Sequence, residues 1–326
     1  MTAICPPIKT MAALCFFALV IGNCSDDGDD DETTEAATET AAGGTTTSQT
    51  PVPSTTVSLA DATDDFSNPD TLSQWERVYQ REGWGFSQLE SFDINTTRSG
   101  WMTMMPYTSS WYGEYRGVLA FKQITGDFVV TTRVATTNRS GTGAPTGLYS
   151  LAGIMVRTPR DITPSTRPAG GENYIFLASG AADTPGTYQT EVKTTVGSQS
   201  TLEIEAGSSE MIIRVARYGG AFILLIADGG GAFRVHRRFS RGDMPEALQV
   251  GLTCYTDWSN VEALTPDVHN VTQITDGNPG LIAQFDYVNY ESIALPENLS
   301  GLDLIDANQV SDAELLSFLG TLPGAP

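Results

Sequence analysis

Histidine, cysteine and positive charge are scarce in this chain of 326 residues, which has two His, four Cys and 18 Lys plus Arg against 39 Asp plus Glu. A formal charge of −21 repels nucleic acid and anionic lipid headgroups at long range and argues against both as partners. With His236 and His269 alone, histidine-based catalysis and zinc ligation have little to work with. The G-x-S-x-G elbow, the HExxH helix and the P-loop are all missing. Long apolar runs are missing as well. The longest, Met11–Ile21, would span ~16 Å as a helix, about half of a bilayer core.

That run follows Lys9 and precedes Ile21-Gly22-Asn23-Cys24, which reads as an export signal over residues 1–23. The tetrapeptide resembles the bacterial lipobox, with Asn23 where that pattern has a small residue. The resemblance implies cleavage before Cys24 and acylation of its thiol; the other reading is a secretory signal cut elsewhere. Ser25 resembles the sorting pattern for the outer membrane, so the expected location is the cell envelope, lipid-anchored, at the outer membrane. Two acyl chains suffice for a stable anchor.

Residues 25–54 hold eight acids, no Lys or Arg and no aromatics. Such a segment cannot bury enough surface to fold, so residues 24–54 are expected to form an acidic disordered stalk behind the lipidated cysteine. The aspartates from Asp26 to Asp31 lack the spacing of a calcium loop. Setting the stalk's eight acids and Lys9 aside leaves −14 on residues 55–326. Cys5 and Cys15 fall in the signal and Cys24 is the anchor, so Cys254 has no partner for an intramolecular disulfide.

The body, residues 55–295, is a succession of short runs rich in Val, Ile, Thr and aromatics, punctuated by Gly, Pro, Asn and Asp, which is an all-β pattern. Phe128, Val130, Thr132 and Val134 alternate with Val129, Thr131, Arg133 and Ala135, and Ala152, Ile154 and Val156 with Gly153, Met155 and Arg157. Each set predicts one core face and one wetter face. Gly219-Gly220 between MIIRVARY and AFILLIA predicts a tight hairpin whose second strand is central and covered on both sides. About a dozen strands in one unit make an antiparallel sandwich or jelly roll. In residues 296–326, Ser311-Asp312-Ala313-Glu314 is a capping box that predicts a short C-terminal helix ending at Gly320.

Asp65-Phe66 with Trp75, then Ile124-Thr125-Gly126-Asp127-Phe128, Leu151-Ala152-Gly153-Ile154-Met155-Val156-Arg157, Val250-Gly251-Leu252 and Phe285-Asp286-Tyr287 resemble the concanavalin A-like lectin/glucanase superfamily over roughly residues 62–293. Within it, the similarity is to the laminin-G-like and β-xylosidase C-terminal sandwiches. The resemblance implies a concanavalin A-like jelly roll with ligands in a concave groove, and Ca²⁺ in a loop, as in many relatives. The superfamily's roles range from lectins to glycosidases and adhesion modules.

Glycosidases of the retaining type need two carboxylates ~5 Å apart, and the family's Glu-x-Asp-x-x-Glu is absent. Glu203-Ile204-Glu205 puts two acids on one strand face without the third, and Asp93 faces away from Glu90. Carbohydrate binding is therefore the leading expectation. Sugar rings stack on aromatic faces, and Trp84 to Tyr115 is dense in aromatics, with Trp111 and Tyr112 in a loop-like stretch. Strand parity and loop position add Arg157, Tyr174, Glu191 and Trp258 as groove candidates, the other reading of Arg157 being a cross-strand ion pair with a residue such as Glu191. The expected partner is a carbohydrate or another envelope polymer. The alternatives are a glycoside hydrolase or lyase with a divergent acid pair, and a protein-contacting adhesion module. Arg241-Gly242-Asp243 is expected to be a turn, and the basic residues around His236 are expected to pair internally.

Overall fold

A computed structural model describes residues 56–322. The export signal, Cys24 and the stalk lie outside the described residues. Short apolar runs separated by turns cannot hide their faces singly, and here they do so by stacking two antiparallel sheets of seven strands. Sheet I is formed by β1 (Glu76–Arg77), β4 (Val118–Thr125), β13 (Ala247–Tyr255), β6 (Ser150–Arg157), β7 (Tyr174–Ala181), β8 (Gln189–Val196) and β9 (Gln199–Ala206), in that spatial order. Sheet II runs β12 (Arg234–Ser240), β11 (Ala221–Asp228), β10 (Glu210–Tyr218), β5 (Phe128–Thr137), β14 (Ile282–Glu291), β3 (Met102–Pro106) and β2 (Leu89–Ile94). The chain is thus an all-β antiparallel sandwich. The helices are short: α1 (Leu59–Ala62), α2 (Val78–Arg81), α3 (Pro266–His269) and α4 (Asp312–Leu319). No helix among the described residues is long and apolar enough to cross a membrane.

The core between the sheets takes Ala152, Ile154 and Val156 from β6, Phe128, Val130 and Val134 from β5, and Phe222, Leu224 and Ile226 from β11. Cys254 is buried there with a free thiol, its Sγ 3.9 Å from Met104 Sδ. The hairpin forms as predicted, with Gly219 at φ +58°, a conformation that glycine adopts without strain. β11 is covered on both faces but lies second from the edge of sheet II, not at its centre. Its second face is hidden by the C-terminal segment.

That segment is why the predicted wet face of sheet II is dry. Leu299, Leu304, Val310, Leu315 and Leu319 pack on Val129, Ile212, Ala216, Ile223, Leu225 and Phe233 as a second core. The capping box is formed reciprocally, Ser311 Oγ accepting from Glu314 N and Glu314 Oε2 accepting from Ser311 N. Arg214, 1% exposed, ties the helix down. It donates to Thr131 Oγ1 at 2.7 Å and to the Leu319 carbonyl, and its guanidinium stacks 4.7 Å from the Phe233 ring.

The edges of the two sheets meet on one side. Glu203 and Glu205 of edge strand β9 pair with Arg237 and Arg234 of edge strand β12, with His236 buried between them. Burial holds the His236 imidazole down at about 4, so it stays neutral near pH 7. The tempting acid pair on β9 is therefore a cross-sheet stitch. Arg241-Gly242-Asp243 is a turn, its arginine buried and clamped in two contacts of 2.8 Å to the Asp243 carboxylate.

Candidate functional site

Strand alternation sends Arg157, Met155 and Leu151 of β6, Tyr174, Phe176 and Ala178 of β7, Glu191 and Lys193 of β8, and Tyr255 of β13 to the outer face of sheet I. This is the face expected to form an open groove. Instead it is roofed by the chain's own loops, and the third apolar cluster lies beneath them. The loop between β3 and β4 buries Trp111 in it. That indole is fully buried, donates from Nε1 to the Val118 carbonyl at 2.9 Å, and meets the Tyr174 ring edge-on at 5.5 Å. Gly117 permits this, since a Cβ there would stand 2.9 Å from Trp111 Cδ1.

The predicted residues share this face but occupy different layers. Trp111, Tyr174 and Arg157 are wholly buried, correcting the expectation that they line an open groove. Arg157 does not pair with Glu191. Its Nε lies 2.9 Å from Glu172 Oε2, its Nη2 2.7 Å from Glu82 Oε1, and its Nη1 donates to Gln249 Oε1 at 2.8 Å. Arg116 bridges the same two carboxylates, and Arg160 adds a third contact to Glu172 at 2.7 Å. Burial alone would raise the Glu172 carboxyl, but the Arg157 and Arg116 guanidiniums outweigh it and hold it well below the usual carboxylate range. Desolvation of Arg157 is likewise outweighed by Glu172 and Glu82, which keep it firmly charged. This cage ties the end of α2, the β3–β4 loop with Arg116, the β6–β7 loop with Arg160 and Glu172, and β6 together.

Glu191 is the odd carboxylate. Its Oε1 lies 3.0 Å from Lys193 Nζ and accepts from the Tyr255 hydroxyl at 3.2 Å. Its Oε2 is buried and has no hydrogen-bond partner. Of the other buried carboxylates, Asp64, Glu172 and Asp257 accept from protein donors at both oxygens, and Glu82 Oε1, which also has no hydrogen-bond partner, is ion-paired with Arg157 Nη2 at 2.7 Å, a cation that Glu191 Oε2 lacks. Burial pushes the Glu191 carboxyl up, against the pull of Lys193, and pushes the Lys193 amine down, against the pull of Glu191. Such a carboxyl can donate or accept a hydrogen bond from a hydroxyl. Lys193 also donates to the Trp111 carbonyl at 2.7 Å, joining this group to the roof.

Beside it stand aromatics that reach solvent. Tyr112 is 38% exposed and its ring lies 5.6 Å from Lys193 Nζ. Trp258, partly exposed, meets Tyr112 at 5.8 Å and Tyr115 at 5.4 Å. Tyr149 completes the rim. Its φ of +51° is rare for an aromatic residue, and it is fixed by its N–H to the Ala182 carbonyl and by Trp258 N to the Leu148 carbonyl, both at 2.9 Å. Burial raises the Tyr149 phenol, with Glu191 and Asp183 adding to it.

Sequence reading missed Tyr149, Lys193 and Tyr255, and the partners Glu82, Arg116 and Glu172. Parity signalled Lys193, which is two residues after Glu191. Loop residues such as Glu172 carry no periodic signal. The residues present do not fit a Ca²⁺ site. No group of three or more His, Cys, Asp or Glu among the described residues is placed to hold a metal, and Asp257, on the loop beside Trp258, is filled by Thr108, Asn260 and the Asn278 N–H.

No family model and no curated protein matches the chain. Among solved structures it is similar to a functionally unknown protein from Saccharomyces cerevisiae (15% identity, 69% of this chain and 99% of that one, TM-score 0.47). It is also similar to xylan β-1,4-xylosidase from Bacillus halodurans (13% identity, 71% of this chain and 39% of that one, TM-score 0.49). A third is basic winged bean lectin with Tn-antigen (8% identity, 70% of this chain and 95% of that one, TM-score 0.43). The chain thus corresponds to well under half of the xylosidase. With two antiparallel seven-stranded sheets packed face to face, it is an all-β sandwich.

Proposed function

We propose that the sandwich binds carbohydrate or another envelope polymer at the rim formed by Tyr112, Tyr149 and Trp258, with Glu191 beneath. The observation that carries this reading is the buried Glu191 Oε2 without a protein partner, beside exposed aromatic rings. Aromatic faces suit the C–H surfaces of sugars, and an unclaimed buried oxygen needs a hydroxyl or water to complete it. The binding surface is this rim, because the groove that the alternation predicts is filled by Trp111. The proposal includes the lipid anchor at Cys24 and the acidic stalk, which would hold the rim within reach of envelope polymers. Replacing Cys24 by Ser is expected to move the protein from the membrane fraction to the soluble fraction; an unchanged distribution sinks the anchor.

A glycan array probed with the Cys24→Ser chain tests the binding. Trp258→Ala and Tyr112→Ala are each expected to weaken a bound glycan about tenfold, since one aromatic contact contributes ~0.5–1.5 kcal/mol beyond its buried area. Both side chains are partly exposed, so thermal melting should stay at the parent value. A full array without a hit, or hits that both variants retain, would refute the site.

A further inference from the structure

On the other side of the molecule, the turn of the β10–β11 hairpin and the chain after β14 border an open, solvent-facing cavity of 470 Å³. Its walls are about half polar and half apolar, the apolar part coming from Ile293, Leu295, Leu302 and Leu304 of the C-terminal segment and Ala221 of β11. The Tyr218 hydroxyl at its margin is spent on the Ile293 carbonyl at 2.9 Å. Two carboxylates stand at the cavity, and no Lys, Arg or His lines it. Asp127 accepts from the Gly219 N–H at 2.7 Å and Asp303 from the Ile305 N–H at 2.9 Å, and neither forms a direct ion pair among the described residues. Arg217 is the nearby cation, but its guanidinium donates to the Gly219 and Glu246 carbonyls.

We propose that this cavity is a binding site for a small organic amine with an apolar body, its ammonium held between Asp127 and Asp303 and its hydrocarbon against Leu295 and Leu302. The volume falls in the range of small-molecule pockets, ~300–1,000 Å³. A half-apolar cavity whose charged lining groups are both acidic favours a cation over a neutral or anionic ligand of the same shape, because the ammonium meets carboxylates that the protein leaves without a direct ion-pair partner. The site is independent of the aromatic rim, since it lies on sheet II and uses none of the same residues.

The test is calorimetric titration of the Cys24→Ser full chain with butylammonium, hexylammonium, hexanol and hexanoate, with NMR shifts of Ala221 and Leu302 locating the contact. Hexylammonium is expected to bind about 15-fold more tightly than butylammonium, the fold-change for two methylenes at ~0.8 kcal/mol each. Hexanoate should not bind, and hexanol should bind at least about tenfold more weakly than hexylammonium. Leu302, 41% exposed, can become Trp without disturbing the core, and Leu302→Trp should abolish binding by filling the cavity. Asp303→Asn, at an exposed position, should weaken the amine and leave the alcohol unchanged. Absence of binding by hexylammonium at millimolar concentration, equal affinity for hexanol, or undiminished binding in Leu302→Trp overturns the proposal.

Discussion

Replacing Arg157 by Ala is expected to lower the unfolding free energy by about 3–5 kcal/mol, the usual loss when one member of a buried ion pair is removed. The size follows from what stays behind. Glu172 loses contacts at two oxygens and Glu82 loses its contact at Oε1, while all three side chains are wholly excluded from water. Urea unfolding followed by tryptophan fluorescence measures it, and a loss below ~1 kcal/mol would mean that water or Arg116 restores the missing partner. Acid should act on the same cage. Glu172 is depressed in the folded state, so its contribution is complete above its unfolded-state value of about 4.3 and fades as pH falls below that. Glu191 has the opposite sign: raised in the folded state, it favours folding most at low pH, and that contribution is lost as pH rises from its unfolded-state value through its folded one. Glu172→Gln should therefore show a shallower stability loss between pH 5 and pH 3 than the parent; an identical slope would put the acid sensitivity elsewhere.

Ending the chain at Leu295 is expected to leave the sandwich insoluble or without cooperative unfolding. The deletion removes Leu299, Leu304, Val310, Leu315 and Leu319, each buried against sheet II. At ~1.5–3 kcal/mol for each buried side chain, the gross loss is comparable to a whole domain's net stability of ~5–15 kcal/mol. Polar partners go too, because Arg214 donates to the Leu319 carbonyl and Arg238 to the Leu304 and Val310 carbonyls. The graded version is Leu315→Ala, for which a cost of about 2–5 kcal/mol is expected in urea unfolding. A soluble truncated protein with a parent-like melting temperature would show that the second core adds little.

The strands were legible because alternation and turn residues act locally. Gly219-Gly220 and the box from Ser311 to Glu314 announce a hairpin and a helix start without tertiary information. Alternation also put Arg157, Tyr174 and Glu191 on one face. It says which residues share a side of a sheet and nothing of what lies across from them, so an open groove and a roofed one read alike. The roof depends on contacts distant in sequence. Trp111 reaches sheet I because Gly117 leaves room, and Arg157 finds Glu172 in a loop whose Gly170-Gly171-Glu172-Asn173 has no period to read. Tyr112 and Trp258 were reachable as loop aromatics. Tyr149 was not, because its importance comes from a backbone conformation.

The charged stitch between β9 and β12 has a consequence for how copies of this protein meet. Two exposed sheet edges would ordinarily invite strands of neighbouring molecules to add on, and long flat edges do so most readily. Here Glu203 and Glu205 hold the outermost strand of one sheet to Arg237 and Arg234 on the outermost strand of the other. An incoming strand would have to dock against alternating fixed charges, two of each sign, so the cross-sheet pairs act less as a source of stability than as a guard against intermolecular β-pairing in a crowded population.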